Sequence, residues 1–331
     1  MHSFLPRALI LGLVIPTSSV SPGAQNPATW PAGRSCHSLT YDAARGAVTM
    51  LGGSPVCGQE PLPDSALWMW DGRAWRAIQP AGPSPGARED AMIAFDSRRG
   101  VLVLYGGRRG RRVFEDTWEW NGTAWTHRSP GAGPGIVEHA AVAFDETRGR
   151  VVLFGGGFRS GAPMSGETWE WDGATWSRRS SGGGPKARVG HSMTWSPTLR
   201  TVVLYGGFAD SGSFTDLWQW NGSTWSVVDT AGPTPTEGPS LVNGQGNVLT
   251  VIGTGTAAGV ESGAPLRAWR WTRGRWEAIG GAGPVSRVGQ AMGYDAARQR
   301  LLLFGGFRPG SGPLDDLWEF DGRIWSRVAR P

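Results

Sequence analysis

An all-β chain built from six similar four-stranded units is what this sequence predicts, and three recurring features carry the prediction. The first is the stretch Asp216-Leu-Trp-Gln-Trp-Asn-Gly-Ser-Thr-Trp225. It returns at Asp116 to Trp125, Glu167 to Trp176 and Asp316 to Trp325, where Phe320 replaces the second Trp. Looser copies run from Leu67 to Trp75 and from Arg267 to Trp276, and the six together hold every one of the 19 Trp except Trp30 and Trp195. The second is an apolar run closing on Gly-Gly, with first glycines at 52, 106, 155, 206, 253 and 305, a period near 50. The third is a short, small-sided stretch ahead of each run, such as Ser38 to Tyr41 or Ala140 to Phe144.

Each period reads as strands a to d. Strand a is the small-sided stretch, and a turn such as Asp42-Ala-Ala-Arg-Gly46 leads into strand b, the apolar run. A loop of variable length follows the Gly-Gly. Strands c and d then form a hairpin, because Trp at i and i+2 share one face of a strand, and Asn-Gly or Asp-Gly suits a type I′ turn before the returning Trp. Pro and Gly links, as in Ala81-Gly-Pro-Ser-Pro85, join one unit to the next. Six four-stranded repeats point to a six-bladed β-propeller. Side-chain size agrees: small residues on strand a suit a crowded axis, while Trp on strands c and d fill the widening gaps between blades. Each buried Trp removes about 150–250 Å² from water, so the Trp array is read as core and not as a stacking platform for ligands.

With Gly206-Gly207, Asp216-Leu-Trp218 and Trp225 in this order and recurring, the chain resembles the kelch-repeat propellers over about residues 33 to 331. The resemblance implies blades at about 33–85, 86–135, 136–186, 187–237, 238–285 and 286–331. The fifth repeat departs from the pattern: it has Gly253-Thr254 in place of the doublet, no acidic residue before Trp269 and a shortened strand a. Complete a-to-d order in every repeat implies sequence-local blades, closed by packing of blade one on blade six, with Thr29-Trp30 available as an outer strand fragment.

Composition sets the surroundings. Arg7 precedes the apolar run Ala8 to Ile15, then Pro16 and a small, polar stretch through Ala24, the pattern of an export signal over residues 1–25 ahead of one domain at 26–331. The reading is a secreted or periplasmic protein without membrane insertion. Cys36 and Cys57, the only two cysteines, are then expected to pair as a disulfide. The formal net charge of +5 rests almost wholly on Arg, since Lys186 is the only lysine. Most of these Arg recur in turns and form no stripe, and the one basic run, Arg108, Arg109, Arg111 and Arg112, comes without a recognition motif. No nucleic-acid partner is expected, and the run is read as a solvated loop.

Functional residues are sought on the face that carries the d-to-a links and the variable b-to-c segments, 54–64, 108–115, 157–166, 208–215, 254–266 and 307–314. Strand a begins there with an Arg-x-x-His-like phrase: Arg34 with His37, Arg88 with Ala91, Glu138 with His139, Arg188 with His191, Arg287 with Gln290. His37, His139 and His191 are read as one equivalent position around the axis, and His37, Arg88, Glu138, His139, Arg188, His191 and Arg287 form the candidate ligand-binding set. The acidic residues before the hairpins (Asp64, Asp116, Glu167, Asp216, Asp316) repeat, so they are scaffold that bonds local backbone. Glu89, Asp90 and Glu138 do not repeat and suit a unique role better.

No metal or other cofactor is expected. The copper oxidases that share the kelch fold need Tyr and His ligands outside the repeat, whereas Tyr41, Tyr105, Tyr205 and Tyr294 all sit at repeat-phased strand positions. Asn121-Gly-Thr123 and Asn221-Gly-Ser223 match glycosylation sequons, but both are read as hairpin turns. The expectation is a monomeric binding module for an extracellular protein or carbohydrate. The alternative is a carbohydrate-active enzyme (a sugar isomerase, lyase or hydrolase) using Arg88, Glu138, His139 and Arg188.

Overall fold

The computed structural model describes residues 29–128, 132–157, 163–180, 182–233, 239–253, 263–281 and 283–330; the expected signal segment lies outside them. Six antiparallel four-stranded sheets are arranged as a β-propeller. Blade one runs Ser38–Asp42, Ala47–Leu51, Leu67–Trp70, Trp75–Ile78 as strands a to d, and every later blade keeps that order. Short extra hairpins rise from the b-to-c loops of blades two, four and six, as at Arg108–Arg109 with Arg112–Val113. Blade five is the worn one, with a four-residue strand a, Ser240–Asn243. Its Trp269, Trp271 and Trp276 are only partly buried, whereas Trp70, Trp120, Trp171 and Trp220 are fully buried.

Among the described residues no strand is exchanged between first and last blade. Closure rests on backbone bonds, Cys36 N to Gly289 O at 2.9 Å, Gly306 N to Arg34 O at 2.8 Å and Arg34 N to Leu314 O at 3.1 Å. Trp30 is not part of an outer strand. It plugs the seam instead, its Nε1 donating to Asp315 O at 2.7 Å and its ring edge-on to Trp70.

The core lies between blades, as six clusters that each draw on two neighbours; Ala143 and Phe154 of blade three, for example, pack with Met193, Trp220 and Trp225 of blade four. Blades two to four add directed bonds to this adhesion. Trp171 Nε1 donates to Glu119 Oε1 at 3.0 Å and Trp176 Nε1 to Thr117 Oγ1 at 2.9 Å. One blade on, Trp220 and Trp225 repeat this on Glu170 and Thr168, both at 2.8 Å. Blade one offers Met69 and Leu67 at those positions, and the Trp120 indole N–H is buried without an acceptor.

The c-to-d turns are not the two-residue type I′ turns that the dipeptides suggested. Trp120 pairs with Trp125, leaving a four-residue loop in which Asn121 Oδ1 accepts from Thr123 N at 2.9 Å and Ala124 N at 3.0 Å. The side chain of Asn or Asp closes the turn itself, and Gly follows at φ 103° because the loop needs a left-handed residue there. Only blade five has the tight turn, Arg273-Gly274, with both φ positive between paired Thr272 and Arg275.

Candidate functional site

The three arginines expected at a ligand site, together with Arg34 of the same phrase, are internal struts. Arg34, Arg88, Arg188 and Arg287 are each no more than 1 % exposed. Arg188 is typical: Nη1 and Nη2 meet Asp216 Oδ1 and Oδ2 at 2.6 and 3.0 Å, and Nη1 also donates to Gly206 O at 2.8 Å. The same carboxylate accepts from Trp218 Nε1 at 2.7 Å, and the guanidinium lies 3.9 Å from the centre of the Phe214 ring. Arg34 with Asp64, Arg88 with Asp116 and Arg287 with Asp316 repeat the ion pair and the indole bond, and Arg88 alone also repeats the ring, on Phe114. These carboxylates are scaffold, as expected, but their main partners are Arg and indole rather than local backbone. Burial alone would raise Asp116, Asp216 and Asp316, yet the paired guanidinium and indole hold all three below the usual carboxylate range.

Two of the three histidines are wedges between blades. His191 Nε2 lies 3.0 Å from Phe154 O, and its ring stands edge-on to Phe154. A Cβ on Gly155 would come 2.8 Å from its Cε1, so the glycine doublet of one blade makes room for the imidazole of the next. His37 likewise stands edge-on to Phe304 of blade six, in the space that Gly305 leaves. Burial first, and then the neighbouring guanidinium of Arg34 or Arg188, pushes each down to about 3. Both are therefore neutral at physiological pH.

His139 belongs to a different position. The residue two before the start of strand a is left-handed in blades one to four and six: Cys36 at φ 52°, Asp90 at 54°, His139 at 55°, Gly190 at 63° and Gly289 at 66°. His139 aligns with Cys36 and Gly190, and Ala140 aligns with His37, so the equivalence expected for the three histidines does not hold. The ring of left-handed residues hands hydrogen bonds from blade to blade, Asp90 N to Cys36 O at 2.9 Å and Gly190 N to His139 O at 3.0 Å. Glycine adopts this conformation freely, whereas other residues pay roughly 1–2 kcal/mol. Blades four and six use glycine. Blades one to three carry a disulfide sulfur, a carboxylate and an imidazole instead.

Those three side chains meet a buried polar cluster. Arg108, 1 % exposed, places Nη2 2.5 Å from Glu89 Oε1 and Nε 3.4 Å from Asp90 Oδ2 and 3.3 Å from Glu138 Oε1. Its position, directly after Gly-Gly, is Ser54, Gly157, Phe208 or Phe307 in other blades. That contrast was the available signal, and reading the basic run as a solvated loop overlooked it; only Arg109, Arg111 and Arg112 are exposed. Glu89 Oε2 accepts from Ser54 Oγ at 2.5 Å and from Gly58 N at 3.0 Å, which ties the 54–62 loop over the cluster. The Cys36–Cys57 disulfide fastens the same loop from the other side. Cys36 Sγ, Glu89 and Asp90 lie within 4.8 Å of one another, but a disulfide sulfur offers no thiolate and Arg108 already pairs with both carboxylates, so the group does not fit a divalent ion.

His139 is the open edge of this cluster. Its side chain is 44 % exposed, with Nδ1 3.5 Å from Asp90 Oδ1. The Asp90 carboxylate raises the imidazole above its ordinary value against the opposing effect of burial. Burial would raise Asp90 in turn, but His139 and Arg108 hold it below the usual range. The result is an ion pair between the two over the window from the depressed value of Asp90 to the raised value of His139. An NMR titration of the imidazole Cε1–H signals checks this reading. His139 is expected to titrate above an ordinary histidine and to fall back in Asp90→Asn, while His37 and His191 stay neutral through pH 5.

Inside the ring, strand a of all six blades lines a central channel of about 490 Å³, from His37 and His191 at the loop face to Ala43 and Glu146 at the turn face. Among the described residues no helix is long and apolar enough to cross a membrane. The chain matches no known family model. No curated protein is recognisably similar to it in sequence. Fold and site therefore rest on the chain's own residues.

Proposed function

We propose that this is a secreted, monomeric kelch-type propeller that binds an extracellular protein or carbohydrate at the loop-bearing mouth of its channel, centred on Asp90 and His139 with Glu138 behind them. The observation that carries the reading is the break in the left-handed ring: where blades four and six use glycine, Asp90 and His139 hold a costlier backbone conformation and pair with each other, the imidazole left partly open to solvent. Three carboxylates face one guanidinium and one imidazole, so acidic groups outnumber basic ones in the cluster. Such a mouth favours a ligand that brings donors: hydroxyl groups of a sugar, or the ammonium and guanidinium groups of a protein. The apolar run after Arg7 and the Cys36–Cys57 pair support export.

Asp90 holding an exposed imidazole is also the geometry of an oriented general base, which keeps a carbohydrate-active enzyme as the second reading. Arg88 and Arg188 take no part in it, since both are sealed in the scaffold. Panels of glycans and of extracellular proteins, presented to the wild type and to Asp90→Asn, test the proposal. A ligand held by the wild type and weakened at least tenfold by Asp90→Asn is expected. A panel in which no bound ligand is weakened by the substitution would overturn the location, and turnover of a bound glycan would move the reading to the enzyme.

A further inference from the structure

The far end of the channel has a collar that is broken in one place. The fourth residue of strand a is aromatic in five blades: Tyr41, Phe95, Phe144, Trp195 and Tyr294. Each packs against the neighbouring blade, Phe144 on Met92 and Ala94, Trp195 on Ala141 and Ala143. Blade five has Asn243 there, paired with Leu249 in the register that pairs Trp195 with Val202 and Tyr294 with Leu301. The amide thus stands between Trp195 and Tyr294, where a sixth ring would complete the collar.

The collar is also uneven in exposure. Phe95 and Phe144, away from the gap, are buried, whereas Trp195, Tyr294 and Tyr41, in blades four, six and one, are partly open. All six residues line the channel. Asn243 Oδ1 has no hydrogen-bond donor in the protein and is cut off from water, a condition that costs about 1–3 kcal/mol and that a ligand donor would relieve once the amide turns toward it. No Arg or Lys lines the channel among the described residues, and Glu146 stands on its wall, so anions are disfavoured. The channel volume falls in the range of about 300–1,000 Å³ typical of small-molecule sites.

The geometry points to a second binding site at this turn-side mouth, for a neutral pyranose seated in the collar gap. Its C–H face would lie on Trp195 or Tyr294, and its hydroxyl groups would donate to Asn243 and Thr194. Flat apolar faces combined with donors at the rim are what this wall requires. An aliphatic ligand would leave Asn243 Oδ1 unpaired, and a carboxylate would meet Glu146.

The test is isothermal titration of the full domain with methyl β-glucopyranoside, methyl β-galactopyranoside, N-acetylglucosamine and a neutral glucose tetramer. At least one probe is expected to saturate. Asn243→Phe, which completes the collar with the residue type of blades two and three, is expected to abolish that binding without lowering Tm. Asn243→Leu, which removes the amide at similar volume, is expected to weaken it at least tenfold, and it serves if the Phe variant does not fold. His139→Ala at the opposite mouth should leave it unchanged, which separates this site from the loop-face one. No saturable binding by any probe to millimolar concentration, or binding that survives both Asn243 variants, overturns the inference.

Discussion

Lowering the pH from 7 to 5 destabilises the folded domain through His37 and His191. Both are held neutral by burial, with values pushed down to about 3, while the unfolded chain protonates them near the ordinary histidine value. The unfolded state therefore binds more protons, and stability is lost as the pH falls through that ordinary value, with the loss continuing down to about 3. Each histidine contributes about 2 kcal/mol between pH 7 and 5, or about 4 kcal/mol together. His139 works in the opposite sense: its folded value is raised, so the stability it adds is present at low pH and lost as the pH rises through that value. Its exposed position makes this the smaller effect. Denaturant unfolding at the two pH values is the measurement. In a His37→Gln, His191→Gln double variant, which places the Gln290 of blade six at both positions, most of the difference is expected to vanish. An unchanged difference would mean that the wedges are not neutral in the folded protein.

Arg188→Ala is expected to cost about 3–5 kcal/mol, the range for removing one partner of a buried pair. The substitution strips Asp216 of its guanidinium, leaves Gly206 O without its donor and empties the space over Phe214. Asp216 would lose what holds its pKa down and rise. Arg188→Lys should recover only part of the loss, because one ammonium cannot reproduce two parallel bonds to a carboxylate and a stacked plane. Equilibrium unfolding of the single variants and of Arg188→Ala, Asp216→Ala decides the matter. The double variant should cost clearly less than the sum, and simple additivity would show that the pair is not coupled.

The fold was readable because its signals repeat. Trp-x-Trp and Gly-Gly each fall at one phase in five of the six repeats, and even the worn fifth blade shows in the sequence as a lost glycine and a shortened strand. What repetition hides is the difference between neighbouring positions. Arg188 and His191 look like functional polar residues in a linear text, but a propeller buries this phrase between blades, where Arg braces an Asp and His fills the hollow above Gly155. His139 looked like a third member, but it stands one residue further from its Gly-Gly than His37 and His191 do, and the backbone places it with Cys36 and Asp90. Arg108 sat in a basic run that reads as solvent-facing, yet it is drawn inward by Glu89, Asp90 and Glu138 from two other loop segments, a convergence that spacing along the chain does not encode. The type I′ expectation failed for a local reason: Asn121 and its equivalents close the turn with their own side chains and so lengthen it by two residues.

One rule separates scaffold from site: a polar residue that recurs at an equivalent place between blades, as Arg188 or His191 does, holds the propeller together, and one that breaks the repeat meets the ligand. Affinity for a ligand found in the panels, measured side by side for His139→Ala and His191→Gln, tests the rule directly. The account predicts at least a tenfold loss in His139→Ala with Tm unchanged, and full affinity in His191→Gln with an altered pH dependence of stability. Full affinity in His139→Ala together with a loss in His191→Gln would contradict it.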